Sequence, residues 1–68
     1  MARAQKYRDV ARFLTSQGWR VIRMGKGSHE IWAGPSGGRL SIPRHGEVSA
    51  GVVSQVISAL PDAPQSWR

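Results

Sequence analysis

Three short runs of β-type residues, separated by glycine-rich connections, constrain the fold of this 68-residue chain more than any other feature. The runs span residues 19–24, 29–33 and 39–43, and the connections span residues 25–28 and 34–38. Both connections have the length of hairpin loops and are rich in residues that tolerate a positive φ. A crossover helix between parallel strands does not fit into either of them. We therefore expect a three-stranded antiparallel meander.

A helix is predicted on each side of these strands. Residues 6–17 carry an apolar stripe at helical spacing, and Gly18 follows where a left-handed glycine would end the helix. Ser49 has the chemistry of an N-cap for a second helix, which carries its own apolar stripe over residues 52–60 and ends before Pro61. The order predicts an α+β fold, the α-β-β-β-α plan of a double-stranded-RNA-binding-like domain, with both helices on one face of the sheet.

The length predicts a single domain over residues 1–68, with a core over about residues 7–60 and a C-terminal tail over residues 61–68. The tail either frays or docks through Trp67. No cysteine is present, and neither the N-terminus nor any apolar run has the length of a signal or membrane segment. We expect a cytoplasmic protein that makes no membrane contact.

The charge balance points to a polyanionic partner. Ten Lys and Arg against four Asp and Glu give a formal net charge of +6 and a pI near 11.5. Such a balance is typical of domains that bind nucleic acid by neutralising phosphates, although a basic domain that is merely soluble has the same composition. The residues predicted to bind RNA are Arg20, Arg23, Lys26, Ser28 and Arg44.

Strand pairing turns the histidines into a candidate site. If the second hairpin pairs residue 33 with residue 39, residues whose numbers sum to about 72 face each other, and His29 lies opposite Pro43. The same end of the sheet also receives the glycine loop and leads into the second helix. The groups expected close to His29 are Lys26, Arg44 and His45.

These groups fit RNA cleavage without a metal or a small-molecule cofactor. The reaction needs a base for the 2′-hydroxyl, an acid for the leaving 5′-oxygen and positive charge around the phosphate. Imidazole, with an ordinary pKa of about 6.5, suits proton transfer at neutral pH. His29 is the predicted catalytic group, and His45 is either the second acid or base or a phosphate-positioning group. Alternatively, His29 only completes a strand end and His45 a turn.

Other chemistries fit the sequence less well. The glycine loop at residues 25–28 has no Lys directly before Ser or Thr, which a Walker motif requires. Two histidines with few carboxylates and no cysteine make a poor metal site, so we expect none. No arrangement of Ser, His and Asp typical of a hydrolase triad is visible.

Side-chain alternation gives an expectation for the two faces of the sheet. Leu40 and Ile42 mark the core side of the third strand, and Ile31 is predicted to point inward with them. His29 shares the parity of Ile31 and would point to the helix side at the rim. Trp32 would then lie on the open face, where its indole stacks on a base or anchors a partner, or else packs against neighbouring side chains.

Four motifs give the chain a resemblance to a known family over about residues 7–60. They are Gln-Gly-Trp at 17–19, Lys-Gly-Ser-His at 26–29, Ile-Pro-Arg-His-Gly at 42–46 and Gly-Val-Val-Ser-Gln-Val-Ile at 51–57. In this order they resemble the landmarks of the HicA family of mRNA interferase toxins. Glu30, next to the Gly-Ser-His motif, is acidic where many members are neutral or basic, and it would either repel phosphate or orient a neighbouring cation.

The resemblance implies a double-stranded-RNA-binding-like fold and ribosome-independent cleavage of mRNA. It also implies a HicB-type antitoxin as partner, and it places the catalytic histidine of the family at His29. The alternatives are a non-catalytic RNA-binding or antitoxin-sequestering module with the same fold, and a purely structural protein-interaction module. Only cleavage requires the His29 imidazole, and only the structural module would show no salt-dependent affinity for RNA.

Overall fold

The structure is a computed structural model that describes residues 2–44 and 46–68. It is an α+β fold in which two helices cover one face of a three-stranded antiparallel sheet, as the sequence predicted. Two very short strands and a 3-10 helix add to this plan. In chain order the elements are β1 Gln5–Lys6, α1 Tyr7–Ser16, β2 Arg20–Met24, β3 His29–Ala33, β4 Arg39–Pro43, β5 Glu47–Val48, α2 Ala50–Ala59 and the 3-10 helix Gln65–Trp67.

The central sheet has the strand order β2-β3-β4 and the predicted register. His29 pairs with Pro43, and Ala33 pairs with Arg39. The connection between these strands is closed by the Gly34 amide, which donates to the Gly38 carbonyl at 3.0 Å. Because this hairpin loop fixes the pairing, the register could be derived from loop length.

Both helices have the ends that the sequence predicted. Gly18, with φ at +83°, follows α1, and the Trp19 amide donates to the Leu14 carbonyl at 3.0 Å. At the start of α2 the Ser49 hydroxyl accepts from the Val52 amide at 3.4 Å. Left-handed glycine and a side-chain N-cap each satisfy backbone groups that a helix end leaves unpaired.

The core lies between the helices and the sheet. Its fully buried members come from both helices, β4 and β5, and the three indoles of the chain are also buried in it. They pack as one continuous cluster, and partly buried side chains, most of them from the two helices, extend it. The cluster includes Val10, Leu14, Trp19, Trp32, Leu40, Ile42, Val48, Val53, Val56 and Trp67.

The predicted faces of β3 are wrong by one residue. Directly paired residues of an antiparallel sheet share a face, so Trp32 lies beside its partner Leu40 on the core side. Ile31 pairs with the exposed Ser41 and lies on the open face. His29 has the parity of Ile31, so it too lies on the open face and not on the helix side. The predicted register is correct, but the core-facing residues of β4 were matched with the odd-numbered residues of β3 when their partners are the even-numbered ones.

A two-stranded sheet between β1 and β5 was not predicted. Gln5 pairs with Val48 and Lys6 with Glu47, and the Tyr7 amide donates to the Gly46 carbonyl at 3.1 Å. Strands of two residues carry no periodic signal that a sequence pattern could reveal. This pairing holds the start of α1 against the segment that follows β4.

The C-terminal tail is docked, which decides between the two alternatives left open by the sequence. Trp67 is 5% exposed, and its ring meets that of Phe13 edge to face at a centroid distance of 5.3 Å. The Arg3 amide donates to the Trp67 carbonyl at 2.7 Å, so both chain ends join the fold. No helix in the part of the chain that the structure describes is long and apolar enough to cross a membrane.

Candidate active site

His29 begins β3 and is exposed on the open face of the sheet. Its backbone is held from both sides, because its carbonyl accepts from the Gly25 amide at 2.7 Å and its amide donates to the Lys26 carbonyl at 3.3 Å. Its imidazole makes no hydrogen bond to any other residue within 2–44 and 46–68. The side chain is therefore presented by a fixed backbone and remains available to a ligand.

The segment after β4 lies beside the loop that precedes His29. The Arg44 amide donates to the Ser28 carbonyl at 2.9 Å, which extends the β3–β4 pairing by one step. Lys26 is exposed within the same loop. The backbones of Lys26, Ser28, His29 and Arg44 therefore lie together at one end of the sheet, as the sequence predicted. His45, also predicted to lie here, is outside the described residues.

The Arg44 side chain belongs to a basic cavity on the α1 side of this end. The cavity has a volume of about 590 Å³ and does not include His29 in its lining. Because β1 pairs with β5, cations from the start of α1 join Arg44 here, a grouping that sequence reasoning missed. The lining residues are Lys6, Tyr7, Arg8, Arg44, Gly46 and Glu47.

Three arginines share the open face with His29. Arg20 pairs with Ala33 and Arg23 with Ile31, so both predicted RNA-binding residues of β2 lie on that face. A register shift between Val21 and Arg23 keeps Arg23 in line with Ile31, which is the effect of a β-bulge.

Arg39 completes this basic face from β4, since it pairs with Ala33. Sequence reasoning did not single it out, although strand alternation from the exposed Ser41 would have found it. Among the described residues the one ion pair joins Arg8 and Asp9 at 3.7 Å. The arginines of the open face are thus free of carboxylate partners in that part of the chain and can meet phosphate.

Among the described residues, Glu30 bonds to two aromatic side chains and to no cation. Its carboxylate is turned into the core side, where it accepts from the Tyr7 hydroxyl at 2.5 Å and from the Trp32 indole N–H at 3.3 Å. Burial, followed by the hydrogen bond and the charge of Glu30, raises the pKa of Tyr7 to about 12, against a smaller opposite effect of Arg44. Glu30 therefore ties β3 to the start of α1 and lies on the opposite side of the strand from the arginines of the open face.

Trp32 does not offer the surface that base stacking needs. Its side chain is 4% exposed, and its indole N–H is bonded to Glu30. Aromatic stacking on a base requires a free ring face. Trp32 is instead part of the core, because it occupies the helix-facing parity of β3.

The exposed groups of this site can supply proton transfer and phosphate binding. His29 offers an exposed imidazole, while Arg20, Arg23 and Arg39 offer positive charge on the same face. Within residues 2–44 and 46–68 no group of three or more His, Asp or Glu side chains is arranged to hold a metal ion.

Comparison with known proteins gives one family. Residues 7–60 match the family described as HicA toxin of bacterial toxin-antitoxin. The match includes α1, α2, the whole central sheet and His29. Neither the search of curated proteins nor that of solved structures returned a match. A toxin of such a system has a cognate antitoxin as its partner.

Proposed function

We propose that this chain, which belongs to the HicA family of bacterial toxin-antitoxin toxins, is a metal-independent and ribosome-independent endoribonuclease that cleaves mRNA. His29 is its catalytic residue, and a HicB-type antitoxin neutralises it in the cytoplasm. One observation carries the proposal: the exposed, fixed His29 shares an open sheet face with three arginines that have no carboxylate partner among the described residues.

The proposed reaction is an attack of the 2′-hydroxyl on the adjacent phosphorus. A base takes the 2′-proton, the new O–P bond forms, and the bond to the 5′-oxygen breaks as an acid protonates that oxygen. His29 performs one of the two proton transfers. His45, two residues beyond Pro43, the pairing partner of His29, is proposed for the other transfer or for positioning the phosphate.

Positive groups stabilise the negative charge that builds up on the phosphate oxygens. Arg20 and Arg23 lie on the face of His29, while Lys26 and the Ser28–Arg44 pair lie at its end of the sheet. We propose that these five residues hold the RNA backbone. The cavity beside Arg44 extends the positive surface towards α1 and would receive a neighbouring phosphate.

The test is cleavage of a defined transcript by purified His29→Ala protein with chelator present. We expect the rate to fall by about 10²- to 10⁴-fold, the usual contribution of a general acid or base. Ser41→Ala, an exposed change on the same face, serves as the matched control and should cleave at the parent rate. Circular dichroism should show both variants folded, because His29 is exposed.

Two further results decide the mechanism. A 2′-deoxy nucleotide at the cleavage position should stop cutting at that bond if the 2′-oxygen is the nucleophile. A folded His29→Ala protein that cleaves at the parent rate would refute the role of His29. A parent protein that binds RNA with a steep salt dependence but never cuts it would instead support a non-catalytic RNA-binding module.

A further inference from the structure

Among the described residues, strand β2 is an outer strand with no partner on the edge that faces away from β3. All five of its residues are exposed. Val21, Ile22 and Met24 are 40%, 41% and 46% exposed, and they are the large hydrophobic side chains that stand out as exposed in the described part of the chain. The domain thus leaves three large apolar side chains of an outer strand open to solvent.

An unpaired apolar edge is a template for another strand. Its backbone N–H and C=O groups can continue the hydrogen-bond ladder, and proteins normally shorten, charge or cover such edges to prevent unwanted pairing. β2 carries two arginines and a β-bulge, yet its apolar side chains remain exposed, and Val21 and Met24 share the helix-facing side because they pair with Trp32 and Glu30. An added strand would cover them with its alternate residues.

The positive charge of β2 indicates what kind of partner can bind along its edge. Arg20 and Arg23 lie on β2, and the whole chain carries a formal net charge of +6. A second copy paired through β2 would bring four arginines and two strongly positive chains together, which opposes association. RNA would pair with the arginines but would neither bury the aliphatic side chains nor accept hydrogen bonds from the edge amides in a strand ladder. An acidic protein strand can do all three.

We propose that β2 is the docking strand for an acidic β-strand of the cognate antitoxin, which extends the sheet to four strands. The inference rests on the antitoxin part of the proposed function and is independent of the chemistry of His29. Its consequence is competition: carboxylates on the added strand would meet Arg20 and Arg23 on the open face, where they would displace the RNA backbone.

The experiment measures the affinity of the purified chain for its HicB-type antitoxin by calorimetry. Val21→Glu with Met24→Glu removes the apolar contacts and adds charge that repels an acidic strand, so we expect Kd to rise by about 30- to 100-fold. Val21→Lys with Met24→Lys removes the same contacts but adds attraction, and we expect a rise of about 10-fold or less. Gln55→Glu with Ser58→Glu, exposed on α2, matches the charge change away from β2 and should leave Kd unchanged.

Amide hydrogen exchange locates the contact in the unmodified proteins. Residues 20–24 should exchange more slowly in the complex, because the free edge of β2 gains partners. The proposal is overturned if these amides gain no protection, if the Glu pair binds as tightly as the α2 control, or if light scattering shows the isolated chain to be a dimer that the Glu pair dissociates. No RNA cleavage enters these readouts, so failure of the nuclease proposal would be seen separately.

Discussion

The orientation of Glu30 determines which face of the sheet its neighbour His29 occupies. A carboxylate on the core side needs hydrogen-bond donors, and Tyr7 and Trp32 provide them. Since successive side chains of a strand point to opposite faces, an inward Glu30 presents His29 to the open face. The acidic residue that looked unfavourable beside a phosphate site therefore supports the orientation of the proposed catalytic group.

The titration of Tyr7, the one tyrosine of the chain, tests this network. Its pKa of about 12 in the folded protein exceeds the ordinary value of 10.0. Because the folded pKa is raised, the stabilising effect is complete below about pH 10 and is lost as the pH rises through about 12. Ultraviolet absorbance should show phenolate appearing well above pH 10 in the folded chain and near pH 10 in denaturant. A midpoint near 10 with native circular dichroism would contradict the part-buried hydrogen bond between Tyr7 and Glu30.

The hairpin between β3 and β4 depends on the absence of a side chain at Gly34. A Cβ added there would lie 2.6 Å from Cε2 of Trp19, a ring atom that cannot move alone. Gly34→Ala should therefore lower the free energy of unfolding by about 1–3 kcal/mol, the usual cost of overpacking. Ser36→Ala, exposed in the same loop, should be nearly neutral. Urea denaturation of the two variants measures the difference, and equal midpoints would refute the close contact.

The 3-10 helix matters for stability as well as for the docking of the tail. Trp67 is buried against Phe13, so Trp67→Ala removes an aromatic contact and leaves a cavity. We expect a loss of about 3 kcal/mol and a lower Tm by thermal denaturation. Ser66→Ala in the same helix is exposed and serves as the control. A Trp67→Ala protein with the Tm of the control would show that the tail contributes nothing.

At the scale of the whole molecule, the net charge of +6 favours any polyanion, and the position of the charges decides where it binds. The double variant Lys26→Gln with Arg44→Gln removes two positive charges. Each lost phosphate contact contributes about 0.7 to the slope of log affinity against log salt for single-stranded RNA, so the slope should fall by about 1.4. Arg12→Gln with Arg68→Gln removes the same charge on the exposed surface away from the sheet. Equal slopes for the two double variants would contradict an RNA path at the His29 end.

The sequence by itself determined the two helices, the three strands of the central sheet, the hairpin register and the end of the sheet at which His29 lies. These features follow from local rules: a glycine with positive φ ends α1, Ser49 caps α2, and short loops permit only antiparallel pairing. The position of His29 opposite Pro43 needed no more than the length of one loop. Turns and caps recur with the same local geometry, which is why a sequence pattern alone can predict them.

Only the tertiary structure decided which face His29 occupies and what surrounds it. The hydrogen bond that turns Glu30 inward comes from Tyr7, which is 23 residues away in sequence. The pairing of β1 with β5 joins segments about 40 residues apart and creates the basic cavity beside Arg44. Contacts of this kind depend on how the helices pack against the sheet, and packing is settled by the burial of the whole core rather than by any local pattern.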